Sequence, residues 1–471
     1  MTKPLWTSED MVAVTDGSAS GAFSATGISI DTRTLQKGEA YLALKGDALD
    51  GHDFVDGAFK AGASVAIVKK DYADEASGSL LRVDDTMTAL MALGKGARAR
   101  TKAKIFAVTG SAGKTGTKEM LLTMLSACGK THASKKSFNN HWGVPLTLAN
   151  LPLDAQFGIF EMGMNHKGEL ETLSTQVRPD IVIITTIEPV HIEHFKSIEE
   201  IADAKAEIFL GMGKTGIAVL NIDNPHYARL KTAATRQGIE KILSFGEDEE
   251  ADAHLVDCTL HASESRVTAD ILGVRVKYKL SIPGQHIVMN SLAALAAVKT
   301  AGVPLAQAIE ALKDAAPVTG RGNRISVSLA AQTAPVTIID ESYNANPASM
   351  LAAFSVFAMV EPQAGGRRIA VLGDMLELGR DGPRLHADLA NPLLKAKADL
   401  VFCCGAQMDA LYNLLPPPWQ GGQAKDSQAL AKLVATAARP GDVVLVKGSA
   451  GSKMSYVVQA LQSITSQGIA S

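Results

Sequence analysis

Residues Gly110, Ser111, Ala112, Gly113, Lys114, Thr115 and Gly116 are the residue types that hold a polyphosphate. Glycines let backbone N–H groups converge on an anion, a lysine can lie along a phosphate chain, and a threonine hydroxyl can ligate Mg²⁺. The longer pattern G-x-x-x-x-G-K-[ST] would want glycine at position 108, where this chain has Val108, so the spacing is the shorter Gly110-x-x-Gly113-Lys114-Thr115. Its flanks supply context. The apolar run Ile105 to Val108 predicts a buried parallel strand, and Met120, Leu121, Met124 and Leu125 recur at helical spacing, with Gly129 placed to end the helix. Strand, glycine loop and helix in that order leave unpaired N–H groups and the positive helix end facing the loop. A nucleoside triphosphate site is expected. The bland alternative is a glycine turn with an exposed lysine.

Further polar residues sit just past apolar runs. Phe157 to Phe160 ends in Glu161, Asp180 to Ile187 ends near His191, and Gly216 to Leu220 ends in Asn221. Open parallel sheets place ligands at these strand ends, so Glu161 is a candidate second metal carboxylate and His191 a metal ligand or phosphate neighbour. His191 and His194 lack the H-E-x-x-H pattern of a zinc site. Ser197 and Glu200 form a capping box that starts a helix. Its apolar stripe of Ile198, Ile201, Ile208, Phe209 and Met212 is interrupted at Lys205. That lysine either snorkels along its stem or, if desolvated and neutral, captures CO₂ as a carbamate suited to a hard cation. Asn290 opens or sits in the first turn of an Ala-rich helix, as a cap or as an amide facing a purine edge.

The elements that position these residues follow a strand–loop–helix rhythm. At 471 residues the chain suggests about three domains. Residues 1–102 read as a small α/β unit, with the segment from Arg82 to Lys104 as one helix and then a basic hinge before the phosphate loop. Residues 103–319 read as a central ATP-binding domain with a mostly parallel sheet, and 320–471 as a doubly wound, Rossmann-like domain. Apolar residues make up 46% and the net charge is −3, which favours a globular protein with ample core and gives no reason to expect nucleic-acid binding. The four cysteines form no C-x-x-C pair, as in a reducing compartment. No apolar run approaches membrane length and the N-terminus lacks a signal-peptide pattern, so a cytoplasmic monomer is expected.

In order and spacing, these motifs resemble the Mur ligases, ATP-dependent amide-forming enzymes of peptidoglycan synthesis. The resemblance spans essentially the whole chain. It rests on the phosphate loop, Asn139-Asn140-His-Trp-Gly-Val-Pro, Glu161-Met-Gly, Ala204-Lys205-Ala-Glu-Ile-Phe and Pro283-Gly-Gln-His-x-x-x-Asn290. The most diagnostic segments are Asp340 to Met350, Leu372 to Gly379 and Val446-Lys447-Gly-Ser. They are most similar to the branch that adds D-alanyl-D-alanine to a UDP-N-acetylmuramoyl-tripeptide.

The resemblance implies ATP and two Mg²⁺ ions, with Lys114 and Thr115 on the phosphates and first ion, and Glu161, His191 and a carbamylated Lys205 serving the metal sites. It implies Asn290 on the adenine, Arg321 and Asp340 reaching the nucleotide on closure, and Asn344, Asn346 and Lys447 beside the dipeptide. Asn139 and Asn140 match the family's substrate segment, and Asp31, Thr32, Arg33, Lys45, Asp50 and His52 match the part that holds the UDP-sugar. The chain departs from the family's Thr-Asn-Ile-Gly-x-Ala-His at Thr186, Glu188 and Val190, and has Gly116 where a second threonine is common. Another Mur ligase, a folylpolyglutamate-type synthetase and a nucleotide-binding regulator without ligase activity are the competing readings.

Overall fold

The computed structural model describes residues 4–73, 78–135, 137–190, 192–329, 333–363 and 365–467. Among them the strands build a three-domain α/β protein around sheets of five, nine and six strands, with a separate pairing of Trp6–Thr7 to Ser24–Ala25.

The N-terminal sheet includes Ile28–Ser29, Ala40–Leu42, Val65–Lys69 and Leu80–Val83, over a core containing Trp6, Leu42, Ile67, Leu90 and Leu93. The helix expected from Arg82 is shorter than predicted. Arg82 belongs to a strand, and the helix spans Thr86–Arg100 because the Asp85 carboxylate caps it, accepting the Thr88 N–H at 2.8 Å. Arg100 then packs its guanidinium 3.6 Å from the centre of the Trp6 ring.

The central domain begins with β1 (Lys104–Thr109), followed by α1 (Lys114–Ser126), β2 (Phe157–Glu161), β3 (Ile181–Ile184), α2 (Ile198–Ala206), β4 (Ile217–Asn221) and α3 (Gln285–Thr300). Strands β2, β1, β3 and β4 lie side by side and parallel, while Ser265–Ile271 and Val274–Leu280 close one end as antiparallel strands. Phe106 and Val108 enter the core that holds α1 and α3, and Ile105 and Ala107 enter the opposite core, which holds α2. Burial on both faces explains the unbroken apolar run of β1.

The C-terminal domain pairs an antiparallel edge strand, Asn323–Val327, with β5 (Val336–Glu341). The sheet continues through β6 (Val443–Lys447), Arg368–Gly373, Leu400–Cys404 and Gln420–Ala424, all parallel. Glu341 and Lys447 are register partners at the carboxyl ends of β5 and β6, the edge at which such sheets hold ligands. Among the described residues, no helix is long and apolar enough to cross a membrane.

Candidate active site

A cleft of about 990 Å³ runs between the carboxyl edge of the central sheet and the C-terminal domain, with Lys114, Thr115, Glu161, Asn290, Arg321 and Lys447 in its walls. Lys114 is the first residue of α1, and its Nζ donates to the Gly110 carbonyl at 2.7 Å. Burial holds its pKa below the usual lysine range, although Glu161 opposes that shift. Gly113 has φ 82°, and a Cβ there would come within 2.6 Å of the Asn290 amide nitrogen. Only glycine fits so close beneath that side chain.

Ser111 and the neighbouring strand end brace the loop. Its N–H donates to Thr186 O at 2.8 Å, and its hydroxyl donates to Glu188 O at 3.0 Å while accepting from Glu188 N–H at 2.9 Å. Thr185 Oγ1 donates to Ala112 O at 2.5 Å. Two of the departures from the family pattern, Thr186 and Glu188, therefore lie against the phosphate loop. Thr186 donates to the Glu188 carboxylate at 3.1 Å, and burial raises the pKa of Glu188.

Glu161 ends β2 level with Val108 of β1 and is 1% exposed. Asn139 Nδ2 donates to its Oε1 at 2.7 Å, while Oε2 is buried without a hydrogen-bond partner. A buried carboxylate oxygen in that state is costly unless a cation meets it. Thr115 is also buried, with Oγ1 3.5 Å from Ser137 Oγ. These hard oxygen donors suit Mg²⁺. His191 lies outside the described residues, among which no cluster of three or more His, Cys, Asp or Glu side chains could hold a metal ion by itself.

Lys205 does not snorkel. It is 1% exposed, and burial, reinforced by the positive charge of Lys114, drives its pKa well below the usual lysine value. Among the described residues its amine has no carboxylate partner. The helix start also differs from the expected reciprocal box. Ser197 Oγ accepts the Glu200 N–H at 3.4 Å, but the Glu200 carboxylate accepts from Lys196 N–H at 2.8 Å.

Asn290 is not a cap. The helix starts at Gln285, so Asn290 lies in its second turn, 5% exposed, with its amide over the phosphate loop. Asp340 does not line the cleft: its carboxylate accepts from Ser342 Oγ at 2.6 Å, Ser342 N–H at 3.1 Å and Gly320 N–H at 3.2 Å. Asn346 borders the cleft, but its side chain caps the helix Pro347–Met359 by accepting Ser349 N–H at 2.8 Å. Lys447 Nζ donates to Asn344 O at 2.9 Å and to Glu341 Oε2 at 3.3 Å. Asn140 uses its Oδ1 to accept Gly143 N–H at 2.9 Å.

The N-terminal candidates are absent from the walls of this cleft. Arg33 pairs with both oxygens of Asp31, at 2.9 and 2.7 Å, in a turn that includes Thr32. Lys45 bridges to Asp50 through the backbone. His52 Nε2 accepts the Lys69 N–H at 3.1 Å, which leaves Nδ1 as the protonated nitrogen facing Asp50 Oδ1 at 2.6 Å.

Three family models match this chain: the Mur ligase family catalytic domain over residues 24–120, the Mur ligase middle domain over 108–298, and the Mur ligase glutamate ligase domain over 323–450. The chain belongs to the Mur ligase family. Among its relatives, the UDP-N-acetylmuramoyl-tripeptide–D-alanyl-D-alanine ligase of Rickettsia prowazekii is 30% identical over 97% of this chain and 100% of its own length. The enzyme of that name from Escherichia coli strain K12 is 32% identical, covering 97% of this chain and 98% of its own. A crystal structure of MurF from Acinetobacter baumannii superposes with a TM-score of 0.83 at 30% identity, covering 98% and 99% of the two chains.

Sequence reasoning passed over several residues that share this Mur ligase cleft. Glu341 and Tyr343 lie inside the flagged Asp340–Met350 segment, and His286 inside the Pro283–Asn290 segment. Their segments gave the signal; which side chains faced inward depended on the turn after β5.

Proposed function

We propose that this Mur ligase joins the free carboxylate of a UDP-N-acetylmuramoyl-tripeptide to the amine of D-alanyl-D-alanine, cleaving ATP to ADP and phosphate. The observation that carries the reading is the meeting, in one cleft, of the Lys114–Thr115 phosphate loop and Glu161 with Arg321 and Lys447 of the C-terminal domain. Relatives bearing that enzyme name match along nearly the full chain, which supports this acceptor pair over a folylpolyglutamate-type one.

The reaction sets two anions against each other, so the protein's task is positioning and charge neutralisation. A tripeptide carboxylate oxygen attacks the γ-phosphorus and the bond to ADP breaks, giving an acyl phosphate. The dipeptide amine then attacks the acyl carbon, loses a proton, and inorganic phosphate leaves. Lys114 and the N–H groups of residues 110–116 hold the phosphates, and Asn290 meets the adenine. Arg321 brings a second cation from the C-terminal domain. Asn344, Asn346 and Lys447 border the dipeptide, while residues 31–33, 45, 50 and 52 hold the UDP-sugar. Asp340 acts through the hinge turn that it anchors. Two Mg²⁺ ions would be held by Thr115, Glu161, His191 and a carbamate on Lys205, and would screen the triphosphate as Lewis acids. Domains 1–102, 103–319 and 320–471 each bring one substrate, and closure excludes water from the acyl phosphate. The enzyme works as a cytoplasmic monomer.

The test is ADP release by the purified chain with Mg²⁺, ATP and the UDP-linked tripeptide over a panel of amine acceptors. D-alanyl-D-alanine should drive release. If glutamate, lysine or diaminopimelate drove it instead, the assignment would pass to another ligase, and ATP binding without release would point to a regulator.

A further inference from the structure

The segment that joins the central and C-terminal domains carries a cation on an aromatic shelf. Arg321 sits between Gly320 and Gly322, and its guanidinium carbon lies 4.3 Å from the centre of the Tyr343 ring. Its Nε is buried without a hydrogen-bond partner, and among the described residues no carboxylate pairs with it. Its charge nonetheless reaches both sides of the cleft, contributing to the lowered pKa of Lys114 on the phosphate loop and of Lys447 on β6.

The shelf is welded to that segment. Tyr343 N–H donates to Gly320 O at 3.1 Å, Gly322 N–H donates to Asp340 O at 2.9 Å, and the Asp340 carboxylate holds Gly320 N–H at 3.2 Å. Backbones approach so closely that a Cβ on Gly320 would lie 2.9 Å from the Tyr343 Cβ. Tyr343 itself is 41% exposed and borders the cleft, so its ring is not there to fill a core. An unpaired guanidinium on a long stem would otherwise sample many rotamers.

We propose that Tyr343 is the positioning residue for Arg321: the ring face parks the guanidinium across the cleft so that it meets the anionic reactants without reorganising. The hydroxyl plays no part. This rests on the ligase reading above, because the gain is realised only when a phosphate or carboxylate enters. Preorganised charge of this kind acts where charge collects during reaction, and the ring contact is a cation–π interaction.

The test uses the full chain, with ADP release measured for wild type, Tyr343→Leu, Tyr343→Phe, Arg321→Ala and the Tyr343→Leu/Arg321→Ala double variant. Tyr343→Leu should lower kcat/KM for ATP by roughly tenfold, and Tyr343→Phe should restore most of that loss. Once Arg321 is gone, Tyr343→Leu should cost less than twofold more, because the ring acts only through that cation. Fully additive losses would overturn the proposal, as would wild-type rates in Tyr343→Leu. A Tyr343→Phe variant as impaired as Tyr343→Leu would make the hydroxyl a direct ligand and also overturn it. Far-UV melting of each variant separates these results from misfolding. Failure of the ligase reading looks different, since wild type itself would then release no ADP.

Discussion

Asn139 donates its side-chain N–H to Oε1 of Glu161 at 2.7 Å, fixing a buried carboxylate whose other oxygen has no partner. One oxygen is anchored by protein and the other is free for a cation. Removing the anchor should therefore loosen metal binding while leaving the donor chemistry intact. Asn139→Ala is expected to raise the Mg²⁺ concentration for half-maximal ADP release by about 10- to 100-fold, with much of the rate recovered at high Mg²⁺. A Mg²⁺ titration checks this, and an unchanged midpoint would return Asn139 to a purely substrate-facing role.

Lys114 is the cation nearest the loop carbonyls and the start of α1. Lys114→Ala should reduce ATP-dependent ligation by roughly 100- to 1,000-fold or more, the scale of losing one preorganised donor to a developing anion. Single-turnover ADP release measures it. Near-normal turnover would end the proposed scheme.

Gly113 lies under the Asn290 amide, and its left-handed φ of 82° disfavours any side chain. Gly113→Ala should push the loop away from α3 and weaken binding of a non-hydrolysable ATP analogue by roughly 5- to 150-fold, since strain at such a position costs about 1–3 kcal/mol. Calorimetric titration provides the comparison.

Lys205 makes two predictions of opposite sign. Lys205→Ala should lose ligation and regain part of it with added short carboxylic acids, which replace the carbamate oxygen. In CO₂-free buffer, Lys205→Met should melt higher than wild type by about 2 °C or more, because a buried, unpaired amine gives way to an apolar chain of similar length. The pH sign follows from linkage. The folded-state pKa is depressed well below the ordinary 10.5, so between those two values the unfolded chain binds a proton that the folded chain does not. The advantage of Lys205→Met should be largest at pH values below the folded pKa, shrink as pH rises through the window, and level off above about 10.5, where only the cost of burying the neutral amine remains. A melting series across pH decides this.

Arg33 lies outside the walls of the cleft, with its side chain 86% exposed beside Asp31. Arg33→Ala should raise KM for the UDP-linked substrate severalfold and leave KM for ATP unchanged. A matched rise in both constants would place this turn elsewhere in the cycle.

Much of this was legible in the chain itself, because the strand–loop–helix around Lys114 depends on local periodicity and on glycine positions that tertiary packing leaves intact. Less legible were side chains whose surroundings come from far along the chain. Lys205 has a stem long enough to reach water from most helices. Its helix packs into the core with Ile201, Ala204, Ile208 and Phe209, which the long-range fold assembles, and no local spacing records that burial. Asn290 could be read as a cap or as an amide facing a purine, because polar residues favour helix starts, yet α3 begins five residues earlier, after Gly284, which removes the cap reading. Asp340 was read as a ligand from its segment, but the turn that returns the chain at Gly320 claims its carboxylate. The dual use of Asn346, as cleft wall and helix cap, shows the same limit.

The segment that joins the helix Leu305–Leu312 to the first strand of the C-terminal sheet, Asn323–Val327, carries Arg321 near its end, with Gly322 between the arginine and the strand. Hydrogen bonds from Gly322 N–H to Asp340 O and from Tyr343 N–H to Gly320 O tie the backbone around Arg321 to the end of β5, whose neighbour β6 ends in Lys447. The two cations therefore share one braced strand end, and a displacement of either would be felt by the other through that bracing.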